Sequence, residues 1–238
     1  MTHYYETGEK QYEGEILDKL QHGRWIKWDK DGKILGEILF DKGIRLKECQ
    51  YYSNGNKKLE IEFLNNKKHG KEIHYYKSGK KKVELNYIDG VKHGKEIHWH
   101  ENGVKSLKTE FQNGHAHGKC LEWYESGRIS TELFLKNGLK EGKYTEWYEN
   151  GKTKTVIEFK NDKEDGKHSK WYKDGTLQFT LKQKDGKEEG KETWYFPDGK
   201  KWLEKNWKGR LLDGLSITWD KYGKVVKKEI YKNGKIQK

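Results

Sequence analysis

Of 238 residues, 32% are hydrophobic and 37% charged, poorer in apolar side chains than the ~45–50% of ordinary globular domains, which argues against a thick two-layer core. The 10 Trp and 15 Tyr argue equally against disorder, since disordered chains are depleted in aromatics, so a thin ordered sheet is expected. The formal charge of +12 rests on lysine, the only arginines being Arg24, Arg45, Arg128 and Arg210, and lysines keep a sheet surface soluble without the bidentate fork that reads phosphate and guanine.

The chain opens at Met1-Thr2-His3 with no apolar leader, and nowhere do about 18 apolar residues run together, so a cytoplasmic location is expected. Tyr4 and Gly8 begin a pattern that continues to the end. A glycine recurs at Gly23, then at Gly70, Gly94, Gly118, Gly142, Gly166, Gly190 and Gly214 with a spacing of 24, Leu46 standing in a copy one residue short. Nine residues after each comes a second glycine, from Gly32 to Gly223, and four residues before that an aromatic: Tyr4, Trp28, Tyr51, Tyr75, Trp99, Trp123, Trp147, Trp171, Tyr195 and Trp219. Such a period marks a repeat architecture, in which each unit contacts only its neighbours. Residues 1–238 are therefore read as one repeat domain, its first copy around 4–19, its last around 214–238, with caps at both ends.

Within a copy, Leu121 and Trp123 alternate with Cys120 and Glu122, Glu125-Ser126-Gly127 turns, and Thr131, Leu133 and Leu135 alternate with Glu132 and Phe134. Period two between glycine turns predicts two strands per copy. Phe196-Pro197-Asp198-Gly199 points to a three-residue hairpin loop, a type I turn closed by a left-handed residue. The second loop, Asn-Gly-x-x-His-Gly in several copies, is expected to hold about five residues. The predicted fold is all-β: an elongated antiparallel meander of about ten stacked hairpins, a twisted or coiled single sheet without helices. Parity then places the aromatics on one face with Phe40, Phe63, Tyr87, Phe111, Phe159, Trp207 and Tyr231, and Glu13, Glu37, Glu60, Glu84, Glu132 and Glu204 on the other.

Gly-Lys-x-x-x-Trp-Tyr-x-x-Gly at this spacing resembles the MORN repeat, and more closely the variant of bacterial YwqK-like antitoxins. Tyr12-Glu13-Gly14-Glu15 and His22-Gly23 match the older form of the motif, while His69-Gly70-Lys71 and later copies lack its second glycine. The resemblance covers nearly the whole chain. It implies stacked hairpins, a scaffold or binding role, and neutralisation of a partner toxin by direct contact.

No motif points to catalysis, cofactor or metal. Cys49 and Cys120 occupy non-equivalent positions without a Cys-x-x-Cys, which fits a reducing compartment. His98 and His100 share a strand face, and His74 is equivalent to His98 one copy earlier, but copies two strands apart lie about 10 Å from each other, too far for a shared ion at ~2 Å bond lengths. The loop series His22, His69, His93 and His117 continues as Glu141, Asp165, Glu189 and Asp213. Repeated carboxylates supply glycosidase-like separations everywhere and hence single out none.

The aromatic series either packs ring on ring to hold the sheet or leaves rings exposed for a partner. A second series, Tyr76, His100, Tyr124, Tyr148, Tyr172 and Phe196, follows it by one residue. Interface hot spots favour Trp and Tyr near the centre of a contact, which places a protein partner, a toxin or effector, across Trp99, His100, Trp123, Tyr124, Trp147, Tyr148, Trp171 and Tyr172, with Lys119, Lys143 and Lys167 steering an acidic target. The alternative is a surface for nucleic acid, or for a nuclease bound to it, with lysines on phosphate and rings on bases. Anionic lipid is disfavoured because no amphipathic helix is visible.

Overall fold

A 24-residue unit this poor in apolar side chains can satisfy its backbone only by pairing with its neighbours in sequence. The computed structural model describes residues 1–237 as two compact units, residues 1–116 and residues from 117 onward. In the first, antiparallel strands follow one another from Thr2–Tyr4 and Lys10–Leu17 to Gly94–Trp99 and Lys105–Gln112. The second runs from His115–Trp123 through Ile129–Lys136 to Val225–Lys232, each strand pairing with its chain neighbours. Among the described residues there is no helix, and none long and apolar enough to cross a membrane.

The first loop of each copy is the predicted one. Gly127 donates its N–H to the Tyr124 carbonyl at 2.9 Å, Tyr124 donates to the Arg128 carbonyl at 2.9 Å, and Gly127 has φ +84°, where a side chain would be strained. The same glycine-to-carbonyl bond closes all ten first loops, from Gly8 to Gly223.

Two local features differ from expectation. Just past the first loop Glu122 pairs with Thr131 but Trp123 pairs with Ile129, so Ser130 is an extra, bulged residue, and equivalent register shifts recur in the other copies. A bulge adds one residue to one strand, which reverses the parity of everything beyond it. The aromatic column therefore shares its face with the glutamate column, and Phe40, Tyr87 and Phe159 lie on the opposite face. Tyr75, whose hydroxyl reaches Glu60 Oε2 at 3.2 Å, shows the corrected arrangement directly.

The second loop is also shorter than expected. Lys160 pairs with Lys163 around only Asn161 and Asp162, at φ +50° and +64°, the two-residue type I′ turn that Asn-Gly favours. The remaining length is a bulge: Phe159 pairs with Glu164 and Ile157 with His168, so Asp165, Gly166 and Lys167 together oppose Glu158. The first glycine sits in that bulge at positive φ, +72° at Gly142. Leu46 is accounted for here. Phe40 pairs with Arg45 and Leu39 with Lys47, leaving one extra residue instead of two, in a conformation open to leucine.

In five copies the residue before the first glycine ties this edge together by accepting an N–H from the next turn, whereas His117 Nδ1 is buried without a hydrogen-bond partner among the described residues. His22 Nδ1 accepts from Lys42 and His69 Nδ1 from Asp89, both at 3.4 Å. In the second unit Glu141 accepts from Asn161 at 3.0 Å, and Glu189 and Asp213 accept from Gly209 and Asn233 at 3.2 Å.

Burial is thin, as the composition requires. Phe40, Ile61 and Leu85 in the first unit, and Cys120, Phe179 and Leu181 in the second, are buried on the face opposite the aromatic column. On the aromatic face, Ser169 is 1% exposed and Thr193 3%.

Candidate partner-binding surface

In most copies a lysine after the first glycine, replaced by Arg24 after Gly23 and by Leu215 after Gly214, shares one face with the aromatic four residues on and the glutamate column of the following strand. Glu60 shows how these groups are used. Lys47 pairs with its Oε1, Lys57 lies 2.8 Å from its Oε2, and the Tyr75 hydroxyl joins them. Burial works against its charge, but the two ammonium groups outweigh it and hold the carboxyl at about 2. The pattern repeats at Glu84 with Lys71 and Lys81, 3.2 and 2.7 Å away, and at Glu204 with Lys191 and Lys201, at 2.8 and 2.7 Å. Arg24 forks onto Glu37, and Lys119 pairs with Glu132 at 2.9 Å.

The column carries lysine instead of glutamate at Lys108 and Lys228, and uncharged residues in two successive copies between them. Val156 and Thr180 stand where glutamate is expected, and Thr153 and Leu177 replace the second lysine. A continuous cross-strand row results, Glu132–Thr145–Val156–Ser169–Thr180–Thr193–Glu204. Beside it stand half-buried Trp147 and Trp171 on one side and exposed Lys143, Lys167 and Lys182 on the other. No ion pair reaches Lys143 or Lys167 among the described residues. Glu158, directly across from Lys143, gives its Oε2 to the backbone N–H of Lys167 at 3.0 Å, and Glu189 stands across from Lys182.

The tyrosines of the second series are placed differently. The hydroxyls of Tyr124, Tyr148 and Tyr172 donate to the carbonyls of Trp147, Trp171 and Tyr195 at 2.6, 2.8 and 2.8 Å, each reaching one copy onward. Tyr5, Tyr52 and Tyr76 do the same to Trp28, Tyr75 and Trp99 in the first unit. These rings staple neighbouring copies, a role that sequence reasoning missed because the acceptor is a backbone atom 23 residues away. In the first unit Trp99 lies under the Lys81 ammonium, 5.8 Å from the ring centre, and His100 is the first residue of its turn, accepting the Gly103 N–H at 2.9 Å.

The sequence-identified candidates thus separate by role. Lys143, Trp147, Lys167 and Trp171 come together on one accessible face, Lys119 borders it already paired, and the tyrosines belong to the inter-copy scaffold. Sequence reasoning also passed over Val156 and Thr180; the signal available was the interruption of the glutamate column.

Several titratable groups elsewhere are held in local pairs. Glu72 binds Lys68 at 2.5 Å and His74 Nε2 at 2.6 Å, and Glu96 binds Lys92 at 2.8 Å and His98 Nε2 at 2.6 Å. Cys49 is buried, and desolvation pushes its thiol up, away from the thiolate. Among the described residues no group of three or more His, Cys, Asp or Glu is placed to hold a metal ion.

No curated protein matches the chain. Among solved structures, it is similar at TM-score 0.23 and 10% identity to a chain of "Crystal Structure of TcdB2-TccC3-Cdc42", over 92% of this chain and 15% of that one. For "Crystal Structure of TcdB2-TccC3-TEV" the values are 0.22 and 13%, over 96% and 13%. For the Photorhabdus luminescens Tc holotoxin pore carrying TccC3-D651A they are 0.22 and 10%, over 98% and 16%. The chain spans about one seventh of these proteins, a likeness too weak to inform fold or function. Residues 21–42, 68–89, 92–113, 140–161 and 188–208 match the MORN repeat variant, so at those five segments the hairpin unit described above is a MORN-variant repeat.

Proposed function

We propose that this protein is a non-catalytic repeat scaffold that binds another protein, in the manner of a cytoplasmic antitoxin or immunity protein of the YwqK-like kind. The observation that carries this reading is the interrupted glutamate column. Lys143 and Lys167 are left without an ion pair beside half-buried Trp147 and Trp171, whereas their counterparts Lys119 and Lys191 are paired at 2.9 and 2.8 Å; Lys95 also has no ion pair among the described residues, but there a further lysine, Lys108, fills the column position. Aromatic side chains flanked by charge that is not internally neutralised are what protein interfaces use for affinity and for steering. The repeated, locally neutralised pairs elsewhere offer no convergent set of groups of the kind catalysis needs.

The test is affinity purification from the native host with the intact protein, followed by binding of the recovered partner at 50 and 200 mM salt with and without nuclease treatment. A protein partner retained at both salts and resistant to nuclease supports the scaffold. A nucleic acid whose binding falls a hundredfold or more across that range, as phosphate contacts require, would replace it.

A further inference from the structure

Each intact glutamate position is an internal demonstration of what this face accepts. A carboxylate standing in the row between the lysine column and the aromatic column is held by one or two ammonium groups 2.7–3.2 Å away. At Val156 and Thr180 the first lysine of each copy, Lys143 or Lys167, remains, while the carboxylate and the second lysine do not. The floor at these places is low: Thr145 is 8% exposed and Ser169 1%. Nothing projects from it as a glutamate would. Val156 and Thr180 lie two strands apart, about 10 Å at ~4.8 Å per strand, with Glu132 and Glu204 closing the two ends of the row.

Resting on the scaffold reading, we infer that the partner is an acidic protein segment that places two carboxylates about 10 Å apart over Val156 and Thr180, pairing them with Lys143 and Lys167 beside Trp147 and Trp171. The spacing is that of residues i and i+3 in a polyproline II segment, where three residues per turn at ~3.1 Å each bring both side chains to the same side about 9 Å apart. The segment completes the ion-pair column that the chain leaves open. Lys182, directly across from Lys167, adds a third positive charge. Glu158, committed to the Lys167 N–H, disfavours a further carboxylate at that point and so helps fix the register. A phosphate backbone meets the same lysines but brings its charges closer together, with one per ~3.4 Å of rise along a stacked strand.

The probes are a synthetic Glu-Ser-Thr repeat peptide, its Gln-Ser-Thr counterpart and an oligothymidylate of equal charge, titrated against the intact protein by tryptophan fluorescence and lysine side-chain NMR. Expected are binding of the glutamate peptide, none of the glutamine peptide, and at least tenfold weaker binding to the double variant Val156→Glu/Thr180→Glu, which fills both places from within. Lys160→Gln/Lys184→Gln changes net charge by the same amount at the turn edge and should leave binding within twofold. The glutamate variant should fold, because Glu132 and Glu204 already occupy equivalent positions; if it does not, Lys143→Gln/Lys167→Gln reads the same loss. The inference is overturned if the glutamate peptide fails to bind, if the filled variant binds it like wild type, if the turn-edge control weakens binding equally, or if the oligothymidylate binds more tightly and is displaced by the filled variant. A host protein that binds Val156→Glu/Thr180→Glu unchanged would overturn this site while leaving the scaffold reading intact.

Discussion

Removing three oxygen atoms tests the staple between copies. In Tyr124→Phe/Tyr148→Phe/Tyr172→Phe the rings stay, and only the hydroxyls donating to the carbonyls of Trp147, Trp171 and Tyr195 at 2.6–2.8 Å are lost. A half-buried hydrogen bond of this kind contributes about 0.5–1.5 kcal/mol net. The three bonds have separate partners one copy apart, about 10 Å, so they should add, giving roughly 3 kcal/mol with a range of about 1.5–4.5. For a chain of this size 1 kcal/mol moves Tm by about 2–4 °C, so the triple variant should melt about 6–12 °C lower. The reciprocal change is available, because Phe196 occupies the same position without a hydroxyl. Phe196→Tyr should reach the Trp219 carbonyl and add about 0.5–1.5 kcal/mol. Thermal melting by circular dichroism, with hydrogen exchange to resolve which copies open first, reads both. A triple variant melting within 2 °C of wild type would refute the staple. Loss of partner binding at unchanged Tm would return these tyrosines to the binding surface.

Three further outcomes follow from geometry already described. Gly142→Val should lose roughly 1–2 kcal/mol from forcing a side chain into the left-handed region, because φ is +72° and the space around a new Cβ is open; a wild-type melt would show that the bulge tolerates another conformation. Gly14→Ala would place a methyl 2.3 Å from the Trp25 ring, so it should shift the Trp25 indole N–H resonance, now bonded to the Glu15 carbonyl at 3.1 Å, and cost about 1–3 kcal/mol as overpacking does. Glu60, held at about 2 against an ordinary 4.5, contributes stability that is complete above pH 4.5 and is lost as pH falls toward 2; Glu60→Gln should flatten the melting curve of the first unit over that window, and an unchanged acid profile would contradict the ion-pair assignment.

The repeat, its two strands and its first turn were legible because glycine and proline mark backbone conformations by residue type. Phe196-Pro197-Asp198-Gly199 alone was enough to name the turn. The bulge at Ser130 and its equivalents was not legible, since a bulged residue carries no compositional mark, and that single omission inverted the assignment of faces. The type I′ turn was signalled by Asn113-Gly114 and Asn137-Gly138, but the strand pairing beyond it is broken by a second bulge, which made one long loop the simpler reading. On the candidate surface, the lysines and tryptophans could be found from their periodicity. The tyrosine staples could not, and Val156 and Thr180 are informative only as departures from a column whose structural use had first to be seen.

The acceptor position before the first glycine asks for a lone pair and nothing more. Imidazole provides it at His22 and His69, and carboxylate at Glu141, Glu189 and Asp213. Because a neutral imidazole and a carboxylate accept the same N–H, negative charge along this edge can be present or absent without loss of the hydrogen bond, and substitution can rewrite it copy by copy. Drift at these sites would tune what the edge repels or tolerates while the hairpins beneath stay as they are.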